Sequence, residues 1–411
     1  MKIVVIGNDG RARSVYRRLY DEGNDVYMHY GLTSILDSEL HVLGGKADLV
    51  VCTRIESSES GLVDKLRADG HTVFGASKKD GMLEYSKEEG KRVAREMGFD
   101  LPSVVTFPKG GRRDAMAFVN DAGIAWTLKK DGITGGKGTV VCRTVAETLS
   151  MLEEEHWDEE MLVLEETVLG QEVSFEFWIS DGWVTPMVMN LEYKRLCDGD
   201  LGGMTAGMAT VQSREAMNST VVFEIQRKIA AWVAKNGFCG PMYVTFIRDD
   251  VSGLLKFIEF NTRLQDPEFE LMETMINGHM TDLFMQVARN ERMDAPEFAA
   301  GWGAGIVVVA GGYPYKDACL QGKPIMYKGK LMHEVIPGMK VMGTECSRSG
   351  MKTYGGRQFV LCDHDEDPKV LFKRLYEKLG SISFMDMQYR TDIGELSLKR
   401  LRRLKKDGVI W

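Results

Sequence analysis

The sequence predicts a multidomain protein of mixed α/β and α+β class. The chain has 411 residues, of which 44% are hydrophobic and 27% are charged, so it can bury a large core and should form two to four domains. Strands alternate with helices near the N-terminus, which favours a doubly wound parallel sheet there. A new set of strands begins after Pro102, and short strands recur near the C-terminus, which favours α+β regions in the rest of the chain.

Composition excludes several classes of protein. The net charge is −8, and the most basic run, at 399–406, is better explained as a solvated helix face than as a nucleic-acid contact. The seven cysteines are scattered and include no C-x-x-C pair, so we expect neither a disulfide framework nor a zinc site. We find no signal peptide and no apolar run of roughly 18 residues, so we expect a cytoplasmic protein without a membrane segment.

The first domain is expected to span residues 1–84. Its opening strand, Lys2–Gly7, leads into a turn with Gly10, Arg11 and Arg13 and then into a helix, an arrangement in which backbone N–H groups can bind an anion. The glycine spacing is not G-x-G-x-x-G, so a dinucleotide site is poorly supported. Further strands are predicted at Asp25–Tyr30, Ala47–Thr53 and His71–Gly75.

A glycine-rich hairpin is predicted at 126–141. Lys129 lies on its first strand, and Gly136-Lys137-Gly138 lies at its tip, where flexible backbone can fold over phosphate groups. This is not a Walker P-loop, because Lys137 is not followed by Ser or Thr at the start of a helix. The alternative is an ordinary glycine-rich surface hairpin.

Acidic residues follow along the chain. The predicted strand Leu162–Glu166 ends in Glu165 and Glu166, and Glu172 comes shortly after. Carboxylates at such positions suit hydrogen bonds to an adenine edge and to ribose hydroxyl groups. The alternative is that they are ordinary carboxylates at the ends of strands, which are common.

The stretch 257–268 carries the strongest chemical pattern. In its predicted strand, Glu259 and Asn261 lie two residues apart and project from one face, while Ile258 and Phe260 face the opposite side. A carboxylate and an amide oxygen are ligands that Mg²⁺, or alternatively Mn²⁺, accepts when phosphate oxygens complete its shell. The alternative is a strand end with ordinary surface side chains.

The order of these features resembles that of a known enzyme family. A lysine strand, a glycine loop, an acidic strand end and a strand with Glu-x-Asn succeed one another as in the ATP-grasp fold, in which the nucleotide lies between two α+β subdomains. Seven stretches also resemble the phosphoribosylamine–glycine ligases (glycinamide ribonucleotide synthetases), in that family's order and across nearly the whole chain. They are Leu83-Glu84-Tyr85-Ser86-Lys87, Lys129-Lys130-Asp131-Gly132 with Gly136-Lys137-Gly138, Lys194-Arg195-Leu196-Cys197-Asp198-Gly199-Asp200, Glu259-Phe260-Asn261-Thr262-Arg263 with Asp266-Pro267-Glu268, Ala310-Gly311-Gly312-Tyr313-Pro314, Gly355-Gly356-Arg357 and Arg390-Thr391-Asp392-Ile393-Gly394.

The resemblance implies a domain organisation. We expect an N-terminal substrate domain at 1–84, a central ATP-grasp domain at 85–295 with a mobile lid at about 105–175, and a C-terminal α+β capping domain at 296–411. In the last domain the sequence predicts strands at Gly305–Ala310, Met332–Pro337 and Arg357–Cys362 and an amphipathic helix at Val370–Lys378. The resemblance also favours a monomer.

The resemblance implies a reaction as well. The carboxylate of glycine would attack the γ-phosphate of ATP to give a glycyl phosphate. The amine of phosphoribosylamine would then attack its acyl carbon and release phosphate. The protein would contribute positioning and charge stabilisation rather than a nucleophile. Small molecules are therefore the expected partners.

Matching to the family assigns residue roles position by position. Glu259 and Asn261 would hold the metal. The nucleotide would be bound by Lys87, Lys129, Gly136, Lys137, Gly138, Glu165, Glu166 and Glu172. Catalysis would involve Arg263, Lys137, Lys194 and Asp198, and the substrates would be bound by Gly10, Arg11, Arg13, Glu56, Asp200 and Asp266. The alternatives are solvated lysines at Lys87 and Lys194 and turn-forming residues at Asp198 and Asp200.

Three departures from the family lie on the acceptor side. Asp9 interrupts the opening glycine run, the segment around Glu56 lacks the family's two prolines, and Ala206 and Ala209 replace glycines in the acceptor loop. Added side chains restrict close approach to a ligand. Two alternatives therefore stay open: a ligase for a different amine, such as a nucleotide or a modified base, and a catalytically silent nucleotide-binding relative.

Overall fold

A computed structural model describes residues 1–35, 46–130, 139–158, 161–315 and 319–410. The predicted nucleotide-binding residues Gly136, Lys137 and Gly138 lie outside the described residues. Among the helices that are described, none combines the length and the apolar character that crossing a membrane requires.

The N-terminal residues form the predicted doubly wound parallel sheet. Its strands lie in the order Asp25–His29, Lys2–Ile6, Leu49–Cys52 and Val73–Phe74, and all neighbours are parallel. Helix Gly10–Asp21 covers the face that carries Ile3, and helix Leu62–Ala68 covers the face that carries Val4. A short helix, Glu56–Glu59, precedes the second of these. Because strand residues alternate between faces, a sheet buried on both sides needs a helix on each.

A second, antiparallel sheet lies within the predicted lid. Its strands follow the order Val104–Phe107, Leu162–Glu166, Trp126–Lys130 and Thr139–Val140. Helices Arg112–Ala122 and Val145–Leu152 pack on the face that carries Leu128. The strand alternation therefore places Lys129 and Glu165 together on the opposite face.

An eight-stranded antiparallel sheet forms the centre of the molecule. Its strands lie in the order Leu255–Asn261, Gly240–Asp249, Gly170–Ser180, Trp183–Cys197, Leu201–Ser213, Trp302–Val309, Arg357–Asp365 and Met339–Val341. Val173, Phe175 and Phe177 point into the main hydrophobic core. The alternate residues Ser174 and Glu176 are also buried, so the other face of this strand carries polar side chains that are covered.

The C-terminal strands extend the central sheet. Trp302–Val309 pairs with Leu201–Ser213 on one side and with Arg357–Asp365 on the other. The ladder therefore runs across the predicted boundary at 296, and the domain limits stay a prediction.

The remaining elements surround these sheets. The other helices are Lys78–Tyr85, Lys87–Glu96, Thr220–Asn236, Glu268–Met275, Met280–Ala288, Pro368–Leu379 and Ile393–Lys406, with short 3₁₀ turns at Glu155–Asp158, Asp198–Asp200 and Glu215–Asn218. A small sheet has the strand order Lys330–Leu331, Met326–Tyr327 and Ile382–Ser383, and Thr344–Ser347 pairs with Gly350–Thr353. The predicted amphipathic helix near the C-terminus is thus present.

One expected strand is wrong. Residues 332–337 form no strand; the chain pairs instead at Lys330–Leu331 and Met339–Val341. Pro337 has no N–H to donate to a ladder, and Gly338 has a φ of 87° and passes so close to Cys362 that a Cβ would lie 2.1 Å from its carbonyl oxygen.

The expected alternation in the Glu259 strand is also incomplete. Phe257 and Phe260 both pack into the core, with ring centroids 4.6 Å apart, although strict alternation would put them on opposite faces. The reason is a shift in the ladder between Thr245 and Phe246, which leaves Ile258 as an extra residue. The sequence pattern gave no sign of this bulge.

Candidate active site

A cavity lies between the helix Lys87–Glu96, the lid sheet and the edge strand of the central sheet. Its walls include the cations Lys87, Lys91 and Lys129 and the carboxylate Glu259. The remaining wall is largely apolar: Leu83, Val163, Phe257, Ile258 and Phe260. An apolar enclosure with several converging cations suits a ligand that carries both a flat apolar group and anions.

Two of the cavity lysines form a buried network with Glu165. Lys129 Nζ lies 2.8 Å from Glu165 Oε1, and Lys91 forms an ion pair with the other oxygen of that carboxylate. Lys91 Nζ also donates to the Phe257 carbonyl at 3.3 Å. Less than a tenth of the surface of Lys91, Lys129 or Glu165 is exposed. The network therefore joins the lid sheet to the central sheet.

Burial and charge oppose one another in this network. Burial lowers the pKa of Lys91 to about 8, although Glu165 acts to raise it. Burial alone would raise the pKa of Glu165, but Lys129 and Lys91 outweigh it and hold this pKa below its ordinary value. Both oxygens of Glu165 are thus engaged by cations, and its assignment to an adenine edge stays a prediction.

A second network surrounds Lys194. Its Nζ lies 2.6 Å from Glu172 Oε2, 3.1 Å from Glu192 Oε2 and 3.8 Å from Glu259 Oε1. Burial would lower the pKa of Lys194, but the carboxylates, Glu172 foremost, raise it well above its ordinary value. Burial raises the pKa of Glu172, and Lys194 opposes that shift only in part. The structure thus brings together the predicted residues Lys194, Glu172 and Glu259.

Glu259 and Asn261 fit a divalent cation. Burial would raise the pKa of Glu259, but Lys194, Lys129 and Lys87 together lower it, so this carboxylate is ionised at neutral pH. The Asn261 side chain is buried, and its Oδ1 is the atom that could ligate a cation, because the amide N–H groups only donate. Within the described ranges no group of three or more His, Cys, Asp or Glu side chains is arranged to hold a metal, so phosphate oxygens and water would complete the shell.

Arg263 is held beside this pair by Glu84. Arg263 Nε donates to Glu84 Oε1 at 2.8 Å, and the other carboxylate oxygen accepts from the Thr262 backbone N–H at 2.8 Å. Arg263 Nη2 also donates to Asn261 Oδ1 at 3.3 Å. The guanidinium orientation is therefore fixed from two sides, and N–H groups remain for a ligand because arginine has five.

The predicted substrate residues near the N-terminus are tied to the protein itself. Asp9 Oδ1 accepts from Ala12 N at 3.3 Å at the start of helix Gly10–Asp21. Arg11 Nη1 donates to the Leu264 carbonyl at 2.7 Å, and Arg11 Nη2 lies 2.5 Å from Asp9 Oδ2. Burial would raise the pKa of Asp9, but Arg11 and Arg54 lower it to about 2. A charged carboxylate thus occupies the helix N-terminus next to Gly10.

Two further predicted residues lie around this helix start. Glu56 forms an ion pair with Arg54. Arg13 Nη1 donates to the backbone carbonyls of Met342 at 2.8 Å and Thr344 at 3.3 Å. Arg13 therefore links the N-terminal sheet to the C-terminal strands.

Asp266 is clamped by Arg357. Two parallel bonds, each 2.9 Å long, join the guanidinium to the carboxylate, and Arg357 Nη1 also donates to the Ala206 carbonyl at 3.2 Å. Charge-assisted bidentate bonds of this kind fix geometry strongly. Asp266, the acceptor loop and the C-terminal strands therefore meet at one point.

Asp198 and Asp200 contact the C-terminal residues. Asp198 Oδ1 accepts from the Thr391 backbone N–H at 2.8 Å. Asp200 Oδ1 accepts from Arg390 Nη1 at 2.7 Å, and its other oxygen pairs with Arg400. Both residues lie in the short 3₁₀ turn Asp198–Asp200, which agrees with the alternative that they form a turn. Their roles in catalysis and substrate binding stay predictions.

Sequence reasoning missed several charged residues of the site. Lys91, Glu192, Glu84 and Arg357 each hold a predicted site residue in place. The spacing could have identified Lys91, since it lies four residues after Lys87 and therefore on the same side of one helix.

Glu166 is partly exposed, and its Oε2 accepts a hydrogen bond from Ser103 N at 3.3 Å. This contact neither favours nor disfavours a role of Glu166 in nucleotide binding.

Comparison with known proteins gives consistent matches. A family model described as phosphoribosylglycinamide synthetase, ATP-grasp (A) domain matches residues 86–269, and the model of the C domain of the same synthetase matches residues 303–396. The phosphoribosylamine–glycine ligase of Synechocystis is 30% identical over 350 residues, covering 82% of this chain and 81% of that protein. That of Lactococcus lactis is 25% identical over 425 residues, covering 97% and 100%.

Solved structures show the same fold. The phosphoribosylamine–glycine ligase of Thermotoga maritima superposes with a TM-score of 0.78 at 22% identity, covering 95% of this chain and all of that one. The biotin carboxylase domain of Hydrogenobacter thermophilus 2-oxoglutarate carboxylase, solved with magnesium ADP and bicarbonate, gives 0.71 at 16% identity, covering 99% and 98%. At these identities the likeness concerns architecture alone.

We expect Glu165→Gln to destabilise the protein, and more at low pH than at high pH. The variant leaves two buried lysines without their anion, which costs about 3 kcal/mol when both are charged. Glu165 acts to raise the pKa of Lys91, so its stabilising effect is present below about pH 8 and falls as Lys91 loses its proton.

Urea unfolding at about pH 6.5 and about pH 9 measures this difference. Glu166→Gln, at the neighbouring and partly exposed position, should change the free energy of unfolding by only about 0.5 kcal/mol at either pH. If Glu165→Gln lowers the free energy of unfolding equally at both pH values, the pairing of Glu165 with a Lys91 that titrates near pH 8 would be contradicted.

Proposed function

The chain belongs to the phosphoribosylglycinamide synthetase family of ATP-grasp enzymes, and from this premise we propose that it ligates glycine to 5-phosphoribosylamine. It is an ATP-dependent ligase that forms a carbon–nitrogen bond in purine biosynthesis. The products are glycinamide ribonucleotide, ADP and phosphate, and the amide forms by way of a glycyl phosphate.

The observation that carries the proposal is the convergence of charge at the cavity. Lys129 from the lid sheet, Lys91 from the helix beneath it and Glu259 from the central sheet line one enclosure. Phosphoryl transfer needs little covalent chemistry from the protein, because positioning and fixed charge lower the barrier. A low-dielectric site with several lysines supplies that charge.

We propose that Glu259 and Asn261 hold Mg²⁺, with Mn²⁺ as an alternative ion. The metal would supply charge neutralisation to the transferred phosphoryl oxygens. Lys194 and Lys129 keep the Glu259 carboxylate ionised, so it is ready to bind the cation. Arg263, whose orientation Glu84 fixes, would hold the glycine carboxylate or the acyl phosphate.

The nucleotide would lie between the lid sheet and the central sheet. Lys87, Lys91 and Lys129 would bind its phosphates, with Glu166 near the adenine and Glu172 near the ribose. Glu172 would have to share its carboxylate with Lys194, to which it is bound at 2.6 Å. We further propose a cytoplasmic location; the predicted monomer stays a prediction.

One observation favours a second candidate, a ligase of the same chemistry for a different amine. The N-terminus of helix Gly10–Asp21 attracts anions, but Asp9 already occupies it and pairs with Arg11 and Arg54. A phosphate-bearing acceptor would meet a carboxylate there. An acceptor that carries no phosphate at this position would not be repelled by the Asp9 carboxylate.

The test of the reaction is ADP release with ATP, Mg²⁺ and glycine, with and without freshly generated phosphoribosylamine. We expect ADP release to depend on phosphoribosylamine and a product with the mass of glycinamide ribonucleotide. Release that depends on glycine but yields no such product would support the second candidate. No release under any of these conditions would contradict ligase activity.

We expect Glu259→Ala to lower kcat by more than about a hundredfold while leaving the fold intact, because it removes the charged metal ligand. Glu259→Gln, which keeps the size but not the charge, should raise the Mg²⁺ concentration needed for half-maximal rate. Circular dichroism and a Mg²⁺ titration of ADP release measure both effects. ADP production at the wild-type rate by Glu259→Ala would show that the metal assignment is wrong.

We expect Asp9→Gly to change the KM for the acceptor at least about fivefold and the KM for ATP less than about twofold. Removing the carboxylate frees the helix N-terminus and Arg11 for an acceptor phosphate, whereas the nucleotide cavity lies elsewhere. Steady-state kinetics with each substrate varied in turn measure this. An equal change in both KM values would indicate a structural role for the loop.

A further inference from the structure

A line of polar side chains crosses the covered face of the central sheet. The strand register sets Glu259 opposite Thr245, Thr245 opposite Ser174, Ser174 opposite Asn190, and Asn190 opposite Gln212. We call these five residues the polar row. Glu259 is partly exposed at the cavity, and the other four have no exposed surface. The row therefore runs from the proposed metal ligand into the interior.

Hydrogen bonds continue the row to the start of a helix. Asn190 Nδ2 donates to Ser174 Oγ at 3.2 Å, and Gln212 Nε2 donates to Asn190 Oδ1 at 2.7 Å. Gln212 Nε2 also donates to the backbone carbonyl of Glu268 at 2.6 Å. Gln212 thus links the sheet to the first residue of helix Glu268–Met275.

The segment before Glu268 supports the acceptor side of the site. It contains Arg263 and Asp266. The predicted acceptor loop, residues 203–209, is part of strand Leu201–Ser213 rather than a loop, and it rests on this segment: a Cβ on Gly207 would lie 2.8 Å from Pro267 Cδ. Arg357 clamps Asp266 and the Ala206 carbonyl from the other side. Because Ala206 and Gln212 lie on the same strand, Gln212 fixes the spacing between that strand and the segment.

We propose that Gln212 is a positioning residue for the amine acceptor and acts through the Glu268 carbonyl. The inference rests on the proposed function, since it takes the acceptor loop to receive the amine. Without the bond, the start of helix Glu268–Met275 is free to shift against the sheet, and the acceptor would meet the acyl phosphate in a poorer geometry. Gln212 lies four strands away from the edge strand that lines the cavity, so we expect ATP binding to be unaffected.

The test is Gln212→Leu in the full-length protein. We expect the KM for phosphoribosylamine to rise about tenfold and the KM for ATP and for glycine to change less than about twofold. The readouts are ADP release and the mass of the product, with each substrate varied in turn.

A double variant separates positioning from folding. Gln212→Leu leaves Asn190 Oδ1 without its donor inside the protein, which lowers stability. In Asn190→Leu with Gln212→Leu, both partners of the Gln212–Asn190 bond are apolar, but Ser174 Oγ loses the donor Asn190 Nδ2, so the melting temperature should recover only in part. The raised acceptor KM should persist, because the Glu268 carbonyl still lacks its donor. If Gln212→Leu does not fold, this double variant carries the test.

A matched control lies on helix Thr220–Asn236, which bonds to a strand of the same sheet. Gln226 Nε2 donates to the Val184 carbonyl at 2.7 Å, which is the same kind of bond away from the site. Gln226→Leu should lower stability and leave all three KM values unchanged. An unchanged acceptor KM in Gln212→Leu, or an equal rise in all three KM values, would overturn the inference. Wild-type protein that makes no glycinamide ribonucleotide would instead overturn the proposed function, and the inference with it.

Discussion

The Lys91 ammonium joins the two sheets between which the nucleotide would lie. It pairs with Glu165 on the lid sheet and donates to the Phe257 carbonyl on the central sheet. A buried charge keeps such partners because losing either one leaves an uncompensated charge in a medium of low dielectric. The orientation of the lid sheet therefore depends on this group. Its pKa of about 8, below the ordinary value of lysine, shows that burial outweighs this pairing.

The central sheet faces a related constraint. Its core face is apolar, but its other face carries buried polar side chains, which are costly unless they are hydrogen-bonded. The segment Thr262–Glu268 and the helix that follows cover this face and supply some of the partners, such as the Glu268 carbonyl for Gln212. The covering segment also carries Arg263 and Asp266. The segment that supplies hydrogen-bond partners to the polar side chains of this face therefore also positions Arg263 and Asp266.

The sequence predicted the elements that depend on residues close together along the chain. The parallel N-terminal strands, the strand with Glu259 and Asn261, and the lysine strand of the lid all appear where hydrophobic pattern and spacing place them. Partners that come from distant segments had no local signal: Arg357 reaches Asp266 across 91 residues. The bulge at Ile258 was missed for the same reason, because it arises from the register of a neighbouring strand.

Charge on the acceptor side is mostly neutralised within the protein. Arg11 is paired with Asp9, and Arg357 is paired with Asp266, so a carboxylate already balances the charge of each guanidinium. Arg13 differs, because it donates to the backbone carbonyls of Met342 and Thr344. Carbonyls fix a guanidinium without cancelling its charge. We therefore propose Arg13, on the side of the helix that meets the C-terminal strands, as the cation that a phosphate-bearing acceptor would contact.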